Sequence, residues 1–131
     1  MIVRRRLATM LTLGVSAAAL VLAPSAMAGG DEPAKDKDEC EKSSIVKLKV
    51  TPQDDGRFEV VGIVWSDDDD IWDWKMKHEG DVSAEGDVKA KDADKSFKIT
   101  RTMVDFVGSD KFVFRAANRR TGEVCRAALT Y

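Results

Sequence analysis

The sequence is poor in the residues on which small-protein chemistry usually rests. Its 131 residues include two cysteines, one histidine, one tyrosine and three prolines. With His78 alone, a nucleophile–histidine pair has a single place to form, and no serine or cysteine beside it stands in a recognisable nucleophile elbow. Two cysteines and one distant histidine fall short of a structural zinc set. A glycine-rich phosphate loop and a dinucleotide fingerprint are both missing. Carboxylates are plentiful enough for a glycosidase-like pair, but a domain of this size has little room for a deep cleft. These absences make a non-enzyme the expectation.

Charge of one sign is also scarce. Twenty-one basic and 23 acidic residues give a net charge of −2, which supports neither a nucleic-acid arm nor an acidic tail. The balance conceals a division. Residues 1–28 carry Arg4, Arg5 and Arg6 and no acid, then an apolar stretch from Leu7 to Leu22, then small residues ending in Ala26-Met27-Ala28. That is the pattern of a secretory signal peptide cleaved after Ala28. The adjacent arginines fit either the general or the twin-arginine export route. Without these 28 residues the chain has 103, and the three arginines leave with them. Eighteen basic and 23 acidic side chains remain, for a net charge of −5. No later apolar stretch could span a membrane. The expected location is extracellular or at the envelope.

Export changes how the cysteines read. An even pair in an oxidising compartment predicts a disulfide between Cys40 and Cys125. It would close a loop of about 85 residues, which the chain-entropy model values at roughly 4–5 kcal/mol.

Residues 29–44 form a glycine- and charge-rich lead without apolar periodicity, expected to be flexible. From residue 45 the period is two rather than 3.6. Val46, Leu48 and Val50 alternate with Lys47 and Lys49. The apolar run Phe58 to Trp65 reads as a central strand covered on both faces. Trp72, Trp74 and Met76 alternate with Asp73, Lys75 and Lys77, and Val82, Ala84, Gly86, Val88 and Ala90 alternate with polar residues. Arg101 interrupts the series Phe97, Ile99, Met103, which predicts a bulge or a rim position. Turn residues separate about seven short strands over 45–131. The expected fold is all-β: a single antiparallel β-sandwich, with an up-and-down barrel as the competing architecture.

Asp110-Lys-Phe112-Val-Phe114-Arg-Ala116-Ala-Asn118, followed by Thr121-Gly122 and a last strand, resembles the F–G hairpin of immunoglobulin-like and fibronectin-type domains. Trp72 or Trp74 is similar to the tryptophan on the third strand of those folds. The resemblance implies an immunoglobulin-like sandwich over roughly residues 42–131 and carries no function. The chain departs from it where Phe114 replaces the second antibody cysteine and where Phe112 lacks a tyrosine hydroxyl.

Four adjacent carboxylates, Asp67, Asp68, Asp69 and Asp70, are the most unusual feature. Such a run repels itself unless solvated, paired or bound to a cation. Three readings follow: a solvated turn, pairing with Arg119 and Arg120 of the last hairpin, or a calcium site. In an immunoglobulin-like topology Asn118 and Asp92 and Asp94 would share that end. Trp65, at the close of its strand, is the tryptophan expected to be partly exposed, while Trp72 and Trp74 read as core. His78 reads as a solvated strand-end residue, and the lysines as dispersed over solvated faces rather than clustered. No cofactor is expected beyond that calcium candidate. The function expected is a secreted, non-catalytic binding module that presents the loops around 67–70, 92–94 and 118–122 to an extracellular protein or envelope component. An inhibitor of an extracellular hydrolase and a small-ligand carrier are the alternatives. Nucleic acid is not an expected partner.

Overall fold

Period-two patterning becomes eight strands in the computed structural model, which describes residues 32–91 and 94–131. The expected signal segment lies outside the described residues. The strands are β1 (Ala34–Glu39), β2 (Ile45–Pro52), β3 (Arg57–Trp65), β4 (Ile71–His78), β5 (Asp81–Lys89), β6 (Ser96–Val104), β7 (Lys111–Asn118) and β8 (Val124–Thr130). They form two antiparallel four-stranded sheets, in the orders β1-β2-β3-β6 and β5-β4-β7-β8. The arrangement is sandwich-like, with two separate sheets rather than one up-and-down meander.

The core lies between the sheets because one side of each strand is apolar. Val46, Leu48 and Val50 of β2 and Phe58, Val60 and Val64 of β3 are buried against Trp72, Trp74 and Met76 of β4 and Phe112, Phe114 and Ala116 of β7. Gly62 makes room at the centre: a Cβ there would sit 2.7 Å from the Phe114 ring. The two sheets therefore meet through an aromatic on β7 set against bare backbone on β3. Phe58 and Phe112 add an edge contact with ring centroids 5.3 Å apart.

The structure has eight strands where about seven are expected, and the additional one is β1. Residues 34–39 of the charged lead pair residue for residue with β2, from Ala34↔Val50 to Glu39↔Ile45. An edge strand needs little apolar side chain, so charge density does not preclude it, and lysines there discourage edge-to-edge aggregation. The strand is fixed from a second direction as well. The Ala128 N–H donates to Asp36 Oδ2 at 2.9 Å, and the Glu41 N–H to the Val124 carbonyl at 3.1 Å. The Cys40–Cys125 disulfide is formed at the same place and joins the β1–β2 connection to β8.

One smaller expectation changes and another resolves to one of its alternatives. Of the outer face of β3, Val61 is buried while Ile63 and Trp65 are only half-buried. Half-buried Lys47 and Lys49, cross-strand from Ile63 and Val61, flank that apolar stripe in place of a second protein layer. The β3–β6 register runs without a break through Val60↔Arg101, so Arg101 takes the rim position, its guanidinium 5.0 Å from the Trp74 ring centroid. The irregularity falls instead between Met76 and Lys77 of β4.

Candidate functional site

The β3–β4 loop and the β7–β8 turn meet at one end of the sandwich. The loop is shaped by its own carboxylates: Asp68 Oδ1 accepts from the Ser66 hydroxyl (3.2 Å), the Asp70 N–H (3.0 Å) and Trp72 Nε1 (3.2 Å). Asp67 takes φ = 57°, a left-handed conformation that aspartate tolerates. From the facing turn, Asn118 Nδ2 donates to Asp68 Oδ2 (3.3 Å) and Asp70 Oδ2 (3.0 Å). The side-chain oxygen of Asn118 accepts the N–H groups of Arg120 and Thr121, so one buried amide closes its own turn and holds the acidic loop.

The arginines divide between two carboxylate sets. Arg120 forks onto Asp70, Nε and Nη2 each 2.8 Å from a carboxylate oxygen. Arg119 turns away from the acidic run, bonding both oxygens of Asp73 at 3.1 and 2.8 Å and Asp87 at 3.2 Å. Hydrogen bonding to Arg120 and then Asn118 holds the Asp70 carboxyl below its ordinary range, and hydrogen bonding to Arg119 does the same for Asp73. Both guanidiniums are shifted up in return, chiefly by the hydrogen bonds to these carboxylates.

Asp70 thus follows the arginine-pairing reading, while Asp67 and Asp69 stay exposed, as in a solvated turn. For calcium, the oxygens of Asp68 and Asp70 that face one another already share the Asn118 amide. Asp94 lies at this end too. It accepts from the Ser96 hydroxyl at 2.6 Å, and the adjoining Lys95 carbonyl accepts from the Ser66 N–H and hydroxyl. Asp92 lies outside the described residues. Trp65 is half-buried, with Lys37 Nζ 5.6 Å from its ring centroid, while Trp72 and Trp74 are core. An open cleft of about 420 Å³ lies beside the network, lined by Asp69, Asp70, Ile71, Lys89, Arg119 and Arg120.

Sequence reasoning missed Asp73 and Asp87 as partners of Arg119, and it missed Glu123. Glu123 is buried and accepts from the Ser44 hydroxyl at 2.7 Å and from the N–H groups of Lys42 and Ser44. Outward placement of Asp73 is legible in the Trp72, Trp74 alternation, but its partner comes from a turn 46 residues away.

The opposite end overturns the reading of His78. It is buried, not solvated, at 6% exposure. Its ring lies between Phe106 and Phe112, stacked on each with centroids 4.6 and 4.5 Å away. Its Nε2 is 2.8 Å from Oδ1 of Asp110, itself 1% exposed. Asp110 Oδ1 also accepts the Phe106 N–H at 3.2 Å, while Oδ2 is buried without a donor. The Asp105 carboxyl is shifted up by hydrogen bonding with Asp110, then by burial and by the Asp110 charge, against an opposing effect of His78. Ligand atoms of His78, Glu79 and Asp110 lie within 4.8 Å of one another, a set able to hold a metal. All three residues are engaged, His78 Nε2 with Asp110 Oδ1, which also accepts the Phe106 N–H, and Glu79 Oε1 with the Lys111 N–H.

The lysines are spread over both sheets, with Lys75, Lys77, Lys89 and Lys111 on the second, and five share one face of the first. Register and alternation put Lys35 and Lys37 of β1, Lys47 and Lys49 of β2 and Lys98 of β6 on the outer face of the first sheet. Among the described residues no helix is long and apolar enough to cross a membrane. Compared with known proteins, the chain matches no family model, no curated protein and no solved structure.

Proposed function

We propose that the protein is an exported, non-catalytic binding module built on an immunoglobulin-like sandwich, and that it meets an extracellular or envelope partner through its acidic, arginine-bearing end. One observation carries this reading. Asn118 and Arg120 tie the β3–β4 loop to the β7–β8 turn, so two loops from distant parts of the chain form one preset platform. Asp67, Asp69 and Ile71 are exposed on it beside the open cleft. Preset loops bind with less ordering cost, and rigid scaffolds with polar loops suit that task.

The strand crossings support the immunoglobulin-like assignment. The chain passes from β3 to the other sheet at β4, returns at β6 to pair with β3, and crosses again at β7 to pair with β4. Aromatic side chains fill the space between the sheets, which favours a surface contact over carriage of an internal ligand. Export rests on the leader pattern and agrees with the disulfide.

The test is affinity capture from culture supernatant and envelope fractions, run with the natural chain and with Asp67→Lys/Asp69→Lys. A partner of this end is retained by the first, lost with the second and weakened by added salt. Equal capture by both would remove the acidic end as the contact surface.

A further inference from the structure

The outer face of the second sheet carries a groove that the acidic end does not involve. Its volume is about 240 Å³, and it is lined by Lys77, Gly80, Lys111, Val113, Arg115 and Arg126. Four cations surround it and no carboxylate lines it. None of the four forms an ion pair with a described residue. The nearby Glu79 carboxylate is turned to the main chain, where it accepts the Lys111 N–H.

The register makes this arrangement costly. Lys75, Arg115 and Arg126 stand directly cross-strand in one row, Lys75↔Arg115 on β4 and β7 and Arg115↔Arg126 on β7 and β8. Lys75 is relieved by Glu85, 3.9 Å away on β5. Arg115 and Arg126 have no such relief, and like charges directly opposite one another destabilise a sheet. An anion seated between them removes that repulsion.

We propose that this groove binds a phosphate group, as inorganic phosphate or as a phosphomonoester. Two guanidiniums and two ammoniums present more charged donors than a chloride or a lone carboxylate can use, and they match the several oxygens of a doubly charged tetrahedral anion. The floor is Val113, and Gly80 leaves the mouth open, since a Cβ at that position meets nothing within 4 Å. The occupant is compact because positive charge ends abruptly. Asp73, Glu85 and Asp87 occupy the β4–β5 half of the same face, where an extended polyanion would meet them.

Inorganic phosphate is titrated into the disulfide-closed protein near neutral pH, with chloride adjusted to hold ionic strength constant. Binding is read from NMR shifts of the Arg115 and Arg126 side chains and from the thermal midpoint. The expected result is saturable shifts at these residues with a dissociation constant on the order of 1 mM, and a rise in midpoint. Arg126→Gln weakens binding about tenfold. Without phosphate, the same variant unfolds at an equal or higher temperature than the natural chain, because the repulsion is gone. That result distinguishes the site from a structural role for the arginine. Vesicles containing phosphatidate form a second arm: binding sensitive to Arg126→Gln places the group on a lipid surface as well, and its absence restricts the site to soluble phosphate. Shifts that fail to saturate, or that persist unchanged in Arg126→Gln, would overturn the proposal.

Discussion

At one end of the sandwich, Asp70 and Asp73 meet arginines in water; at the other, Asp110 meets His78 between two phenylalanine rings. The contacts are of similar length, 2.8 Å in each case. Their surroundings differ. Exposed pairs are screened and gain little over hydration, whereas a buried pair is held because losing one partner strands the other without water. The acidic end is held by the covalent bridge, the buried Asn118 and Glu123, and the Arg120 fork onto Asp70, the last adding little free energy in water. The histidine end depends on one buried contact, His78 Nε2 to Asp110 Oδ1.

The largest expected effect comes from removing the bridge. Cys40→Ser/Cys125→Ser should lower unfolding free energy by roughly 4–5 kcal/mol in a urea titration, because a long loop is released in the unfolded chain. Asp110→Ala follows, at about 3 kcal/mol, since it leaves the buried His78 ring and the Phe106 N–H without their acceptor. A loss no greater than that of an exposed residue would erase the contrast between the ends. Asn118→Ala should cost about 1–2 kcal/mol, as the carboxylate oxygens and turn N–H groups it serves lose a buried partner.

Acidity separates the ends by sign. Asp70 and Asp73 hold protons less readily in the folded chain, so their contribution is complete above the ordinary value of 3.8 and fades as pH falls through their lower folded values. Asp105 is shifted the other way. Its contribution is complete below 3.8 and is lost as pH rises through its elevated folded value. Asp105→Asn should accordingly raise the thermal midpoint near neutral pH and steepen its decline on acidification. Parallel pH profiles for variant and natural chain would contradict the assignment. The smallest effect is expected from Arg120→Gln: a slight drop in midpoint at low salt that vanishes at high salt.

Much of the acidic end is legible in the sequence, because a run of aspartates and a pair of arginines in two turns announce themselves. Which arginine takes which acid is not. Adjacent residues of a turn diverge, so Arg120 reaches Asp70 while Arg119 reaches Asp73 and Asp87. The histidine end is nearly invisible by comparison. His78 ends a strand beside Glu79 and Gly80, which reads as a wet turn. Its burial depends on Phe106, from a loop 28 positions later, folding over the ring.

By itself, the sequence determined the all-β character, the inward sets Val46, Leu48, Val50 of β2 and Trp72, Trp74, Met76 of β4, and the pairing of Cys40 with Cys125. Side-chain alternation and a lone cysteine pair are properties of the chain that register cannot undo. Tertiary structure alone decided that the charged lead adds the edge strand β1, that His78 is buried on Asp110, and that Arg115 and Arg126 face one another uncompensated across a groove. Each depends on which strand lies beside which, and no local pattern encodes a neighbour tens of residues away.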